Sequence, residues 1–159
     1  MFGRFVYFID IYWEKQGILL NKRFREAFIT MNLIRENLNI KYSQTTGIKM
    51  KKYELTDETI SVDGKTLYRI RALCSFSFVN KGDLGGFIEK EENLSHDGDC
   101  WVSDDAWVSG NAYVYDDAWV FGNARIFDDA RVYENARVYG GVRVYGKAHI
   151  SGNVWVYGN

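Results

Sequence analysis

Proline is absent from the 159 residues, and cysteine (two), histidine (two) and methionine (three) are scarce. Without proline, nothing removes a ladder N–H or interrupts a strand. Two cysteines, Cys74 and Cys100, indicate no disulfide framework and point to a reducing compartment, with the cytoplasm as the expectation. Neither sign of charge is in excess: 20 basic side chains stand against 21 acidic ones, which excludes broad nucleic-acid coating and a polybasic membrane anchor. Long apolar runs are missing too. The stretch Phe5 to Ile9 stops at Asp10 with no small-residue cleavage site behind it, so neither a signal peptide nor a membrane span is expected. What the chain has in quantity is aromatic surface, 16% of residues, which is too much to leave solvated in a disordered chain. The length suits one domain, or one domain with an appendage.

From Cys100 to Asn159 the chain is ten hexads without insertion or deletion: CWVSDD, AWVSGN, AYVYDD, AWVFGN, ARIFDD, ARVYEN, ARVYGG, VRVYGK, AHISGN and VWVYGN. The third position is Val or Ile in all ten, and the first is small or aliphatic. Repetition at a fixed period signals a solenoid. Positions one to four alternate in, out, in, out, as a strand does, so Ala and Val build the core. Positions five and six hold Asp, Gly, Glu, Asn and Lys, and must turn a corner. Each fully buried Val contributes roughly 1.5 to 3 kcal/mol, which makes the Val column the main stabiliser.

Charge decides how many hexads close one coil. Asp104-Asp105, Asp116-Asp117 and Asp128-Asp129 recur every second hexad. Two hexads per coil would stack these pairs at about 4.8 Å, like on like. Three per coil places Asp104 over Gly122 and Gly110 over Asp128, leaving only Asp116 over Glu134 unfavourable. It also sets Arg137 between Trp119 and Trp155, a cation–π column. Three per coil is therefore expected, unless calcium sits between stacked carboxylates. Ten hexads then make about three and a third coils.

The Val-x-x-x-Ala steps, such as Val108 to Ala112 and Val132 to Ala136, resemble the hexapeptide repeat of left-handed parallel β-helix proteins. That resemblance implies an all-β, single-stranded, left-handed parallel β-helix, a triangular prism of three sheets. A longer stretch, MKKYELTDETISVDGKTLYRIRAL, then KGDLGGFIEKEENLS, then the hexads, is similar to a family of largely uncharacterised phage and bacterial proteins with a short β cap before the prism. Some of these carry a transferase label by fold analogy.

Three segments follow. Residues 50–99 read as a β-rich cap ending in a first degenerate hexad, Leu94 to Asp99, with Leu94 inward. Within it, Ile60 to Val62, Asp63-Gly64 and Thr66 to Ile70 form a hairpin signal. Gly82, Gly85 and Gly86 mark a sharp path into the first coil. Residues 100–159 are the β-helix. Residues 1–49 differ, with Phe24, Ala27, Phe28, Met31, Ile34 and Leu38 at helical spacing over about 20–39. Either a helical extension or an over-extended start ahead of Met50 accounts for them.

No catalytic residue, metal ligand or cofactor is assigned. Resemblance to hexapeptide acyltransferases implies a catalytic His near a subunit interface, which leaves His96 and His149 to consider, but ten uninterrupted hexads offer no loop to hold an acyl donor. His96, Asp97, Asp99 and Cys100 match no metal-ligand spacing, and Cys100 fills an inward slot. The outward positions carry the signal. One sheet is expected to show Trp101, Trp119, Phe121, Arg137, Tyr139, Trp155 and Tyr157, residue types typical of binding hot spots. The alternative is that aromatic ladders merely stabilise an exposed sheet. A protein partner is expected ahead of single-stranded nucleic acid, which the Asp corners oppose. Ending on a hexad without a cap, the chain is also expected to self-associate.

Overall fold

A tight primed turn at Asp63-Gly64, with φ of 50° and 78°, joins two long antiparallel strands and opens the described fold. The computed structural model describes Thr30, Ile34 and residues 50–158. The chain divides into two units, Met1–Met50 and Lys51–Asn159. In the first, Thr30 and Ile34 are helical and exposed; the remainder of the helix expected over 20–39 lies outside the described residues.

The second unit is all-β. Strands β1 (Tyr53–Val62), β2 (Lys65–Ala72) and β3 (Leu84–Ile88) form the cap. A short 3-10 turn, Glu91–Asn93, follows. Then come β4 (Trp101–Val102), β5 (Trp107–Val108), β6 (Tyr113–Val114), β7 (Trp119–Val120), β8 (Arg125–Ile126), β9 (Arg131–Val132), β10 (Arg137–Gly140), β11 (Arg143–Val144), β12 (His149–Ile150) and β13 (Trp155–Gly158). They stack into three sheets, β1-β2-β3-β5-β8-β11, β13-β10-β7-β4 and β12-β9-β6. Trp101 pairs in parallel with Trp119, Trp119 with Arg137 and Arg137 with Trp155, a constant step of eighteen residues. Three hexads close each coil, as the charge argument required.

The inward columns are aliphatic throughout. Val102, Val108, Val114, Val120, Ile126, Val132 and Val138 are fully buried, as are Cys100 and the alanines from Ala106 to Ala136. Position five of the first nine hexads turns the corner in the left-handed region. Asp104, Asp116 and Asp128 adopt φ of 57°, 56° and 60°, where Asp costs less than most side chains. Their carboxylates also tie successive coils together. Asp104 accepts the Gly122 N–H at 2.9 Å, Asp128 that of Gly146 at 3.0 Å, and Asp116 that of Glu134 at 3.3 Å. The Asp116–Glu134 step, expected to be simply repulsive, thus carries a charge-assisted hydrogen bond that offsets part of the repulsion. Among the described residues no group of three or more His, Cys, Asp or Glu side chains is arranged to hold a metal.

The stack starts earlier than Cys100. Phe87 and Ile88 pair in parallel with Trp107 and Val108, and Leu94 bridges Val114. Each sheet therefore has four levels, not three and a third. Leu94 is inward as expected, but it occupies the Val slot, not the Ala slot. The repeat is disguised there because Asn93, wholly buried, turns in and donates to the carbonyls of Gly110 (3.1 Å) and Ala112 (2.9 Å). Two residues beyond the hexad count also bulge between Leu94 and Val102.

The cap closes the first coil and extends one face. Strand β2 pairs antiparallel with β3, and β3 pairs in parallel with β5, so the cap hairpin continues a solenoid sheet. Its side chains Tyr53, Ile70, Ala72 and Val79 join the same core as the coils.

Candidate functional site: an aromatic face on the solenoid

Sheet β13-β10-β7-β4 gathers the seven residues expected to bind a partner. Ring–ring geometry sorts them. Phe121 stacks on Tyr139 at 5.0 Å and Tyr139 on Tyr157 at 5.5 Å, a continuous ladder made by position four. At position two, the Arg137 guanidinium lies over Trp119 at 5.6 Å and donates to the Asp117 carbonyl at 2.8 Å. Trp119 is fixed in turn by donating to the Asp99 carbonyl at 3.1 Å.

Two expectations need correction. Trp101 is not on the open face: it is 2% exposed, edge-on to Tyr53 (6.3 Å) and Phe76 (5.4 Å) of the cap. Burying a large ring beneath the cap gains more apolar burial than leaving it in water. The cation–π column is also only half formed. Arg137 turns toward Trp119, whereas Trp155 meets Tyr139 edge-on at 6.1 Å and is 65% exposed.

Aromatic ladders are not peculiar to this sheet. Trp107, Phe127 and Tyr145 form one on the second sheet, with Arg125 over Trp107, and Tyr113, Tyr115 and Tyr133 form another on the third. Ladder stacking is thus a general stabiliser of the prism. The first sheet also borders a shallow cleft of about 300 Å³ between it and the cap, lined by Phe78, Val79, Asp83, Leu84, Trp101, Ser103 and Trp119. Phe78 and Leu84 are 74% and 55% exposed, and Phe78 stands edge-on to Trp119 at 6.2 Å. Neither residue is singled out by the repeat, since both lie in irregular cap sequence.

The two histidines are held by separate contacts. His149 is exposed on β12, edge-on to Tyr133 at 6.2 Å. His96 stacks on Tyr53 at 4.3 Å and accepts the Lys52 N–H through Nδ1. Its Nε2 lies 3.8 Å from Glu91 and has no hydrogen bond. Beside it the buried Lys52 ammonium donates to the carbonyls of Gly98 (3.1 Å) and Cys100 (2.8 Å) and to the Cys100 sulfur (3.2 Å). Burial raises the Cys100 thiol pKa against the opposing pull of Lys52, so the thiol stays protonated at neutral pH. This cluster caps the irregular corner.

The corner has a pH signature. Burial pushes the His96 pKa below its ordinary value; Glu91 pulls the other way, while Lys52 and Lys51 reinforce the lowering. The folded state therefore binds this proton less readily than the unfolded chain. Stability is complete above the unfolded histidine pKa, about 6.5, and declines as pH falls from there toward the lowered folded value. Glu89 and Glu91, whose pKa values are lowered chiefly by the Gly110 N–H and by Lys51 respectively, add a further loss only in the carboxylate range. Urea titrations between pH 7.5 and 5 should show a declining limb that His96→Gln removes. An unchanged limb in that variant would assign it elsewhere.

Taken together, the described unit is a capped parallel β-solenoid. The family model for the YdcK beta solenoid repeat matches residues 124–140 and again 130–146, registers one hexad apart within the middle coils. The chain is similar to that repeat over these residues. No curated protein matches it. No helix among the described residues is long and apolar enough to cross a membrane.

Proposed function

We propose that the protein is a non-enzymatic solenoid scaffold that presents the face of β4, β7, β10 and β13 to a protein partner. The observation that carries this reading is the run of Phe78, Leu84, Trp119, Phe121, Tyr139, Trp155 and Tyr157 on one side of a rigid sheet, beside an open cleft. A contiguous apolar patch of this kind is uncommon on a free surface and is rich in hot-spot residue types. Single-stranded nucleic acid is disfavoured because the Phe121–Tyr139–Tyr157 rings already cover one another's faces, which a base would need. The resemblance of the cap and repeat to the phage and bacterial family supports a phage or prophage product acting in a bacterial cytoplasm, and an inhibitor of a host factor fits that setting. Self-association is part of the same reading. Among the described residues, strands β11, β12 and β13 each pair on one side only, and Val154 is 42% exposed beside them.

Trp155 and Tyr157 are the right residues to change, being the most exposed of the expected set. Trp155→Ser with Tyr157→Ser should cost about 1 to 3 kcal/mol through the lost contacts with Tyr139, leave the unit folded, and lose the partner recovered by the tagged parent. Tyr145→Ser, at an equally exposed ring on a different sheet, should retain it. Recovery unaffected by the double change, or lost with Tyr145→Ser, would remove the face from consideration.

A further inference from the structure

The aromatic face is bordered almost entirely by negative charge. The strands and corners that make up this side of the prism, residues 100–105, 116–123, 134–141 and 152–158, contain Asp104, Asp105, Asp116, Asp117 and Glu134 against a single cation, Arg137. All five carboxylate residues are exposed, and none is in a salt bridge among the described residues. Arg137 does not offset them. Its guanidinium is committed to the Trp119 ring and the Asp117 carbonyl, and the residue is half-buried.

The arrangement is stacked, not scattered. Asp104 and Asp105 line the margin leading to the second sheet. Asp116, Asp117 and Glu134 line the opposite margin on successive coils, because the eighteen-residue step puts Asp116 beside Glu134. Like charges at strand spacing cost stability. The sequence tolerates that cost at Asp116 and Glu134, on one flank of a face that also has a cleft and exposed Trp and Tyr side chains. The second sheet is more evenly charged: Arg125 and Arg143 pair in register there, with Asp128, Asp129 and Lys147 at its corners.

We infer that the partner segment seated on this face is a basic polypeptide that bears apolar side chains. The apolar residues would fill the Phe78–Leu84–Trp119 cleft and cover Trp155 and Tyr157, while Lys or Arg side chains reach the two acidic margins. Facing charges of opposite sign steer encounter and fix register. The same margins repel phosphate, so an oligonucleotide is the wrong occupant. This inference rests on the reading of the face as a protein-binding surface and adds the chemistry of what it binds.

The test uses a short synthetic peptide of alternating Lys and Leu, its Glu-Leu counterpart, and oligothymidylate, each titrated into the full chain at low and raised salt with tryptophan fluorescence and calorimetry. The charge variant is Asp116→Asn with Asp117→Asn and Glu134→Gln. Amides keep an acceptor oxygen for the Glu134 N–H, and Asn accepts the left-handed backbone, so the corner stays folded. The Lys-Leu peptide should bind, lose about tenfold in affinity in the charge variant, and weaken as salt rises. No binding of that peptide, equal binding of the Glu-Leu peptide or oligothymidylate, or affinity unchanged in the charge variant would overturn the inference. The two readings separate cleanly. If Trp155→Ser with Tyr157→Ser abolishes peptide binding while the charge variant does not, the face stands and the basic partner falls. If only the charge variant matters, the apolar face itself falls.

Discussion

Gly86→Ala is expected to destabilise the 51–159 unit by about 3 kcal/mol or more, lowering its melting temperature by on the order of 10 °C. Gly86 lies in β3, where the cap passes into the first coil, and its φ is not the issue. A methyl group there would sit 2.4 Å from the Ala106 carbonyl oxygen and 2.8 Å from a Val102 methyl carbon. The nearer atom belongs to the backbone, and the Phe87 N–H donates to that same carbonyl at 2.9 Å. Relief would require β3 to move off the coil, exposing the core that the cap covers. Gly146→Ala is the control. It has φ of 64° but nothing within 4 Å of the added methyl, so only left-handed strain of about 1 kcal/mol is expected. Urea and thermal unfolding of the two variants should differ severalfold; equal losses would mean that β3 is not packed on Ala106.

Ile126→Ala should cost about 2 to 5 kcal/mol. Ile126 is fully buried in a middle coil, between Val108 and Val144 in register above and below. A closed prism cannot collapse easily into the gap, because the backbone of each coil is hydrogen-bonded to both neighbours. The same chemistry at the last level should be cheaper: Val156 is only half-buried, and Val156→Ala removes one carbon fewer. A near-equal loss at the two positions would show that the final coil is as well covered as the middle ones.

Much of this architecture could be read from residue order. Val or Ile at the third position of every hexad marks the core column, Asp-Asp pairs on alternate hexads exclude a two-hexad coil on electrostatic grounds, and the eighteen-residue pairing of Trp101, Trp119, Arg137 and Trp155 agrees. The Asp corners were legible because the left-handed region admits few side chains. Where the pattern failed, a different interaction had replaced the repeat's own. Asn93, next to Leu94 where an outward residue would be expected, turns its amide inward to two carbonyls and hides one upstream hexad, and Gly86 stands where the others have alanine, disguising another. Lys52, a buried cation held by the Cys100 corner, has no signal in any period.

The site divides along the same line. Which outward residues share a sheet is a matter of counting by eighteen, so Trp119, Phe121, Arg137, Tyr139, Trp155 and Tyr157 could be grouped without coordinates. Which of them meet solvent depends on what the cap places over the first level. Trp101 disappears under Tyr53 and Phe76, whereas Phe78 and Leu84 emerge beside Trp119 and open the cleft. Periodicity governs contacts between equivalent residues on neighbouring coils, because hydrogen-bond register repeats with the chain. It carries no information about a contact between a repeat and a segment that does not repeat; tertiary packing alone determines that contact, and with it the shape of the face.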